Sequence, residues 1–154
     1  MSNKGWTGVD LDGTLAIYDH WRGEDHIGDP VPLMLHRVKT MLAAGEDVRI
    51  FTARVDGGEA AIAMGRNGEA FRDVAKITSV IEAWCLKHIG QVLPVTNKKD
   101  FGMVRLFDDR AIQIEYNTGM RMDGEKDYEC GCCDSLDEDT IEGPCTCPEW
   151  CPNG

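Results

Sequence analysis

Residues 10–14 read Asp10-Leu11-Asp12-Gly13-Thr14 and come directly after a short apolar stretch near the N-terminus. Residues two apart on a strand point to the same face, so a strand over residues 6–11 would place Asp10 and Asp12 side by side at its end. Two carboxylates held that close repel each other unless a cation lies between them. Oxygen ligands with open positions suit Mg²⁺, and Gly13 allows a sharp turn after the pair. The stretch predicts a strand end that carries a hard cation and a carboxylate able to act as a nucleophile.

Length and charge bound the class of protein. A chain of 154 residues favours one domain with at most a small appendage. The formal net charge is −11, but residues 1–121 carry 17 acidic and 15 basic side chains, a balance of −2. Residues 122–154 carry 10 acidic side chains and 1 basic one, a balance of −9. Because the body is close to neutral, the total charge does not exclude phosphate or nucleic-acid ligands.

Apolar segments bear on the location of the protein. No apolar run is long enough to cross a bilayer, and the first residues lack the apolar core of a signal peptide. We therefore expect a cytoplasmic protein with no membrane partner and with reduced thiols. Cys85 lies in a helical pattern and is expected to be a small buried apolar residue.

Strand and helix patterns alternate over the first 117 residues. Apolar runs predict strands over residues 8–11, 48–51, 92–95, 103–107 and 111–114, with Pro94 suited to a strand end or an edge strand. Residues 16–30 are expected to form a loop or flap, and residues 57–77 two short helical pieces. Alternation of this kind predicts a parallel sheet with helices on both faces, a three-layer α/β Rossmann-like domain.

Two longer helices are expected between these strands. The first starts at Pro30 or Pro32 and ends at Gly45. Its helical spacing is carried by five apolar residues, Leu33, Met34, Val38, Met41 and Leu42. The second starts at a capping box formed by Ser79-Val80-Ile81-Glu82 and runs to about His88.

Side chains that can carry chemistry follow four of the predicted strands. Ligands of an open parallel sheet bind beyond the carboxyl ends of its strands. In strand order the candidates are Asp10 and Asp12, then Thr52 and Arg54, then Lys98 and Lys99, then Asp108 and Asp109. Four acids, a hydroxyl and several cations at one edge are the groups needed to transfer a phosphoryl group with a bound Mg²⁺.

The order of these motifs over residues 5–117 resembles the haloacid dehalogenase (HAD) superfamily. Three further stretches are similar to those of small HAD proteins of phages and bacteria: Phe51-Thr52-Ala53-Arg54, Thr96-Asn97-Lys98-Lys99-Asp100-Phe101-Gly102-Met103 and Asp108-Asp109-Arg110. The Thr-x-Arg and Asp-Asp-Arg patterns also resemble the phosphatase domain of polynucleotide kinase/phosphatase. The resemblance implies a HAD fold with a minimal cap, because no large insertion follows the first or second motif, and hence an open site.

The resemblance also implies catalytic roles. Asp10 would be the nucleophile that forms an aspartyl-phosphate, and Asp12 would protonate the leaving oxygen and later activate water. Thr52 would hydrogen-bond a phosphoryl oxygen. Lys99 would neutralise charge on the phosphoryl group and on Asp10, and it is preferred to Lys98 because it directly precedes Asp-Phe.

Further residues are implied as ligands of metal and substrate. Mg²⁺ would be held by Asp10, Asp12, Asp108 and Asp109, where either Asp108 or Asp109 would bind directly and the other through water. The substrate-binding candidates are Gly13, Thr14 and Arg54, of which Arg54 would clamp a substrate phosphate bidentately.

The acidic C-terminal segment holds six clustered cysteines: Cys130, Cys132, Cys133, Cys145, Cys147 and Cys151. The two clusters resemble the knuckles of a Zn²⁺ site. Six thiolates could bind one ion with two to spare or share two ions, and reduced free thiols or disulfides are the alternatives. Bound metal would supply the folding free energy that apolar burial cannot. We therefore divide the chain into a catalytic domain over 1–120 and a cysteine-rich tail over 121–154.

The function expected from the sequence is Mg²⁺-dependent hydrolysis of a phosphomonoester through an aspartyl-phosphate. The substrate would be a phosphorylated small molecule such as a nucleotide, or a nucleic-acid 3′ end. Phosphotransfer by the same fold is one alternative, and a non-catalytic HAD-fold module whose cysteine-rich tail recruits a partner is another. The intact set Asp10, Asp12, Thr52, Lys99 and Asp109 favours catalysis, because a binding module has no need of all five.

Overall fold

The computed structural model of the chain describes residues 5–58 and 72–124. The chain divides into two units, Met1–Asp109 and Arg110–Gly154. The described part of the first unit contains β1 (Trp6–Val9), α1 (Pro32–Ala43), β2 (Asp47–Phe51), α2 (Val74–His88), β3 (Val95–Thr96) and β4 (Met103–Phe107), with one 3₁₀ turn at Ala53–Val55. None of the helices described is long and apolar enough to cross a membrane. The six clustered cysteines and most of the predicted helical pieces over 57–77 lie outside the described residues.

The four strands form one parallel sheet in the order β3-β2-β1-β4. In the central strand β1, Val9 is level with Ile50 of β2 on one side and with Phe107 of β4 on the other. The predicted parallel α/β arrangement is therefore confirmed for this part of the chain, and a Rossmann-like layout is compatible with it. The third strand is shorter than predicted and begins after Pro94, whose carbonyl accepts a hydrogen bond from Ile50 N–H at 2.8 Å.

One face of the sheet packs against both helices. Because side chains alternate along a strand, Val9, Val48 and Ile50 lie on the same face. They share one apolar cluster with Met34, Val38 and Met41 of α1 and with Ile77, Ile81, Trp84 and Cys85 of α2. Right-handed crossovers from β1 to β2 and from β2 to β3 move in the same direction across the sheet, which puts both helices on one side. The third layer expected from the sequence stays a prediction.

The two helices begin for different reasons. Pro32 opens α1, as predicted, and Gly45 follows its end with a φ of 77°. The predicted start of α2 at Ser79 is wrong, because α2 already begins at Val74. The Asp73 side chain caps it by accepting a hydrogen bond from Lys76 N–H at 3.0 Å. Ser79 lies inside the helix and donates to the Ala75 carbonyl at 3.1 Å.

Single side chains of the helices also test the apolar pattern. Leu33 is 59% exposed, so it does not share the burial of Met34, Val38 and Met41, with which it forms the helical spacing. Cys85 is fully buried, as predicted, and burial raises the pKa of its thiol to about 11. This thiol therefore acts as an apolar core group.

Residues 17–29 form the predicted loop, here called the flap loop, which closes on itself. Ile17 N–H donates to the Asp29 carbonyl at 2.8 Å, and Ala16 and Pro30 form a bridge next to this contact. A Cβ atom on Gly28 would lie 2.0 Å from the Ile17 carbonyl oxygen, so only glycine fits at this neck. The loop thus leaves and rejoins the fold at one point.

The predicted fifth strand over residues 111–114 is wrong. Ile114 makes only an isolated antiparallel bridge with Arg121, within the second unit. Asn117 and Gly119 both have positive φ values, of 62° and 77°, and reverse the chain between the bridged residues. The segment turns back on itself instead of extending as a sheet strand.

Candidate metal and phosphate site

The first motif leaves the central strand and turns sharply. Asp10 follows β1 directly, and its N–H donates to the Phe107 carbonyl at 2.8 Å, which extends the pairing with β4 by one residue. Asp10 is thereby held level with the end of β4, where Asp108 begins. Leu11 and Leu15 are fully buried and anchor the turn that follows.

Three carboxylates meet at this edge of the sheet. Asp10, Asp108 and Asp109 each offer one oxygen, and these oxygens all lie within 4.8 Å of one another. We call this group the acidic cluster. Its members are three of the four residues expected to hold a metal ion, brought together by neighbouring strands β1 and β4.

Thr14 ties the acidic cluster together. Its hydroxyl accepts a hydrogen bond from Asp109 N–H at 3.0 Å and lies 3.3 Å from Asp109 Oδ1 and 3.4 Å from Asp10 Oδ2, as a donor to one or the other. Thr14 therefore positions the two carboxylates from the same turn that carries Asp10.

Gly13 is required by both conformation and space. Its φ of 92° is strained for other residues, and a Cβ atom there would lie 2.9 Å from Asp109 Oδ2. The glycine thus lets the turn approach the acidic cluster closely. Both substrate-binding candidates of the first motif, Gly13 and Thr14, are next to the cluster.

Asp10 is the carboxylate with the most unusual environment. Burial is the main cause that raises its pKa to about 7, followed by repulsion from Asp108. A smaller contribution from Asp109 acts in the same direction, while the Leu11 backbone N–H lowers the pKa. Repulsion among the carboxylates therefore acts on Asp10, and a bound cation would relieve it.

Asp12 belongs to a different network. Both of its oxygens accept from Arg54, with Oδ2 2.6 Å from Nε and Oδ1 2.6 Å from Nη2. β1 ends at Val9, so the two acids are not neighbours on a strand face, and the turn directs Asp12 towards β2. The structure does not bring the Asp12 carboxylate into the acidic cluster, contrary to the predicted four-residue Mg²⁺ site.

Arg54 is buried beside Asp12, and among the described residues its Nη1 nitrogen is unused. Its side chain is only 5% exposed, and Nη1 is buried without a hydrogen-bond partner in the described part of the chain. Because Asp12 occupies the N–H of Nε and one N–H of Nη2, the predicted bidentate clamp on a substrate phosphate would have to use Nη1 and the second N–H of Nη2. Three of the five N–H donors of the guanidinium remain for an anion, two on Nη1 and one on Nη2.

Thr52 lies at the end of β2, where it was predicted. It is 2% exposed, and its hydroxyl oxygen accepts from Arg54 N–H at 3.2 Å, which caps the 3₁₀ turn. Accepting this bond leaves the hydroxyl proton free to be donated to a ligand oxygen.

The lysines after β3 are not part of this contact network. Lys98 and Lys99 are both exposed, and within the described ranges no hydrogen bond or ion pair engages the Lys99 ammonium. Their loop is held instead by Asp100, whose Oδ1 accepts from Trp6 Nε1 at 2.8 Å and from Gly102 N–H at 2.7 Å. The structure does not bring Lys99 to Asp10.

The flap loop contributes a residue that sequence reasoning missed. The Arg54 guanidinium carbon lies 4.9 Å from the centre of the Trp21 ring, and that of Arg72 lies 5.4 Å from it. Trp21 is 45% exposed. A single tryptophan in a loop rich in glycine, aspartate and histidine was the available signal, but its contact with Arg54 spans 33 positions and leaves no local pattern.

A separate cavity of about 500 Å³ lies between α1 and β4. It is lined by His36, Arg37, Thr40, Met41, Arg105 and Phe107. None of these is a candidate site residue. The chemistry-bearing groups therefore lie at the carboxyl edge of the sheet and not in this cavity.

No protein-family model, curated protein or solved structure matches this chain. The function is therefore argued from the geometry alone. The fold and site define a parallel α/β domain that carries an acidic cluster and a buried arginine at the carboxyl edge of its sheet.

Proposed function

We propose that this protein is a Mg²⁺-dependent phosphomonoester hydrolase of the HAD type, acting through an aspartyl-phosphate on a nucleotide or on a nucleic-acid 3′-phosphate. The observation that carries the proposal is the convergence of Asp10 with Asp108 and Asp109 within 4.8 Å, at the end of the central strand. A buried arginine with an unused donor at the end of the neighbouring strand supports it.

The donor set of the acidic cluster fits a hard divalent cation. Carboxylate oxygens are the ligands that Mg²⁺ prefers, and repulsion within the cluster is part of what raises the pKa of Asp10. Asp10, Asp108 and Asp109 would hold the ion. When bound, it would offset the negative charge of the acids and of the phosphoryl group.

Two acids divide the proposed reaction. One Asp10 oxygen attacks phosphorus, the bond from phosphorus to the ester oxygen breaks, and protonated Asp12 gives its proton to the departing oxygen. Water then attacks the phosphorus of the aspartyl-phosphate, Asp12 takes the proton of that water, and the bond from phosphorus to Asp10 breaks. The products are the alcohol and inorganic phosphate.

The remaining residues act on the phosphoryl oxygens. The Thr52 hydroxyl proton and Arg54 Nη1 are donors held by the end of β2, and both belong to buried side chains. Buried donors of fixed position stabilise developing charge more than solvated ones do. Lys99 is assigned the same role from the exposed loop after β3, with its flexible side chain reaching the bound substrate.

One observation favours a second candidate function. Both oxygens of Asp12 are engaged by Arg54, so an acid–base role requires at least one of these hydrogen bonds to open. A non-catalytic module that binds a divalent ion and a phosphate would leave this pair intact. Both functions involve the same ligands, a divalent ion and a phosphate, but only the hydrolase would convert a substrate to products.

The decisive experiment is hydrolysis of a phosphomonoester panel with Mg²⁺ or with EDTA. The panel contains an aryl phosphate, nucleotides and a 3′-phosphorylated oligonucleotide. We expect turnover with Mg²⁺ and none with EDTA, and Asp10→Asn should lower kcat by at least about a thousandfold. Asp47→Asn, which changes an exposed aspartate at the start of β2, is the matched control and should keep full activity.

Equal inertness of the wild type and Asp10→Asn across the whole panel would contradict the hydrolase proposal. Phosphate binding by both proteins would then favour the non-catalytic module. Transfer of the phosphoryl group to an added alcohol in place of water would instead identify a phosphotransferase.

A further inference from the structure

Trp21 is linked to the candidate acid through one side chain. Its ring contacts the Arg54 guanidinium at 4.9 Å, and the same guanidinium holds both oxygens of Asp12 at 2.6 Å. In the proposed reaction the leaving oxygen lies beside Asp12. A group attached to that oxygen would contact Trp21 if it extends from Asp12 on the side where Arg54 lies.

The flap loop, which carries Trp21, is anchored to the rest of the first unit. Its neck is closed by the bond from Ile17 N–H to the Asp29 carbonyl, at 2.8 Å. Trp84 Nε1 of α2 donates to the Gly28 carbonyl at 2.9 Å, and Lys76 of α2 pairs with Asp25 at 3.1 Å. An exposed tryptophan in such an anchored loop presents a large ring without losing much conformational entropy on contact with a ligand.

Charge around the ring points to the chemistry of the ligand. Arg54 and Arg72 both lie within 5.4 Å of the ring centre, and Arg54 Nη1 is buried without a partner in the described residues. Both guanidinium groups lie over the ring, which is still 45% exposed, and an exposed aromatic surface next to guanidinium groups suits a flat ring that carries a phosphate. Nucleoside phosphates combine these two features.

We propose that Trp21 is the stacking surface for the base of a nucleoside phosphate substrate, and so the specificity-determining residue of this site. The inference rests on the proposed function, which places the leaving group beside Asp12, and on the base extending to the side where Arg54 lies. Stacking on an aromatic side chain depends little on which base is present, because every base has a π-face. A mononucleotide and the end of a nucleic acid share this chemistry.

Kinetics with three substrates test the proposal: thymidine 3′-monophosphate, a 3′-phosphorylated oligonucleotide and glycerol 2-phosphate. Trp21→Ala should raise KM for the two nucleoside substrates about tenfold, while kcat/KM for glycerol 2-phosphate stays unchanged. Trp21→Phe should retain most of the affinity. Tyr116→Ala removes another exposed aromatic side chain, from the second unit, and should change no value. A response confined to the oligonucleotide would identify a nucleic-acid end as the source of the base.

Equal losses on all three substrates would overturn the inference, because they would mean that Trp21 only supports Arg54. No loss on any substrate would overturn it as well. Calorimetric binding of thymidine 3′-monophosphate to Asp10→Asn, with and without Trp21→Ala, separates this result from the fate of the proposed function. Weaker binding when Trp21→Ala is present would support the stacking proposal even if the protein hydrolyses nothing. Equal binding with and without Trp21→Ala would contradict it even if the protein is a phosphatase.

Discussion

The carboxylates of Asp10 and Asp12 serve different networks although only Leu11 separates them. Asp10 shares the end of the central strand with Asp108 and Asp109, and Asp12 is committed to Arg54. One acid is therefore placed among negative charges and the other beside a positive charge. Surroundings that disfavour charge on Asp10 are the reverse of what a nucleophile needs, so the proposed reaction requires a bound cation that offsets the negative charge of the acidic cluster.

The raised pKa of Asp10 predicts a pH-dependent change in stability. An unfolded aspartate has a pKa of about 3.9, whereas folded Asp10 has a pKa of about 7. Its favourable contribution to folding is therefore complete below the unfolded value and is lost as pH rises through the folded one. In EDTA, Asp10→Asn should raise the melting temperature, by an amount that grows between the two pKa values and is constant above pH 7.

Thermal unfolding measured across this pH range checks the prediction. Added Mg²⁺ should stabilise the wild type above pH 7 and leave Asp10→Asn nearly unaffected, because the variant lacks one ligand of the acidic cluster. A melting temperature that Asp10→Asn lowers equally at every pH would contradict the assignment.

The Asp12–Arg54 pair predicts a large effect on stability. Its side chains are 21% and 5% exposed, so removing the acid leaves a buried guanidinium without a counter-charge. Asp12→Ala should lower the free energy of unfolding by about 3 kcal/mol, as measured by urea denaturation. The exposed pair Arg49–Asp47 is the control, and Asp47→Ala should cost less than about 1 kcal/mol. Similar small losses in both variants would show that the buried pair is not retained in solution.

At the scale of single elements, short strands do most of the positioning. β1 has four residues and β3 has two, yet their ends define where Asp10 and the loop of Lys98 and Lys99 begin. The helices stabilise this edge from one face of the sheet through their apolar cluster. A wrong prediction of where a strand ends therefore misplaces the functional residues that follow it. A wrong prediction of where one of these helices begins does not.

The cap of α2 gives a prediction at this scale. Asp73→Ala removes the side chain that accepts from Lys76 N–H, and it should lower the free energy of unfolding by about 1 kcal/mol. Ser79→Ala is the matched control, because Ser79 lies inside the helix and should lose no stability. Chemical denaturation of both variants measures the difference, and a larger loss in Ser79→Ala would restore the helix start expected from the sequence.

Elements with strong local patterns could be predicted from the sequence. The runs that form β2 and β4, the proline at the start of α1 and the acids that follow β1 and β4 are all visible as short motifs. The Ser79–Glu82 spacing was misleading because a capping box is only a local pattern, and the helix had already been capped at Asp73. Continuous packing of Ile77 and Ile81 against the core decided the outcome.

The contacts of the site could be predicted only in part. Convergence of Asp10, Asp108 and Asp109 follows from parallel strands whose carboxyl ends share an edge. The Asp12–Arg54 pair and the contact between Trp21 and Arg54 depend on how a turn and a loop are oriented in space. No periodicity encodes such orientations, so these contacts became visible only in the folded chain.

At the scale of the whole molecule, charge and cysteine are concentrated in the second unit. Residues 122–154 carry 10 of the 27 acidic side chains and six of the seven cysteines. We propose that these six cysteines bind Zn²⁺, as their clustering suggests. Reduced protein should then contain at least one zinc ion per chain by elemental analysis.

A variant with all six clustered cysteines replaced by serine is the control for this zinc. It should lose the ion and keep Mg²⁺-dependent hydrolysis, because the acidic cluster belongs to the first unit. Absence of zinc from carefully reduced wild-type protein would remove the proposal.

The closed neck of the flap loop has a consequence for how this molecule can be altered. Ile17 N–H and the Asp29 carbonyl are 2.8 Å apart, so the intervening segment starts and finishes at the same place on the scaffold. A substitute segment of different length or composition could be grafted between these two points without disturbing the strands, provided that glycine is kept at position 28. Replacing the flap loop could then change which substrates are selected, while the residues of the acidic cluster stay the same.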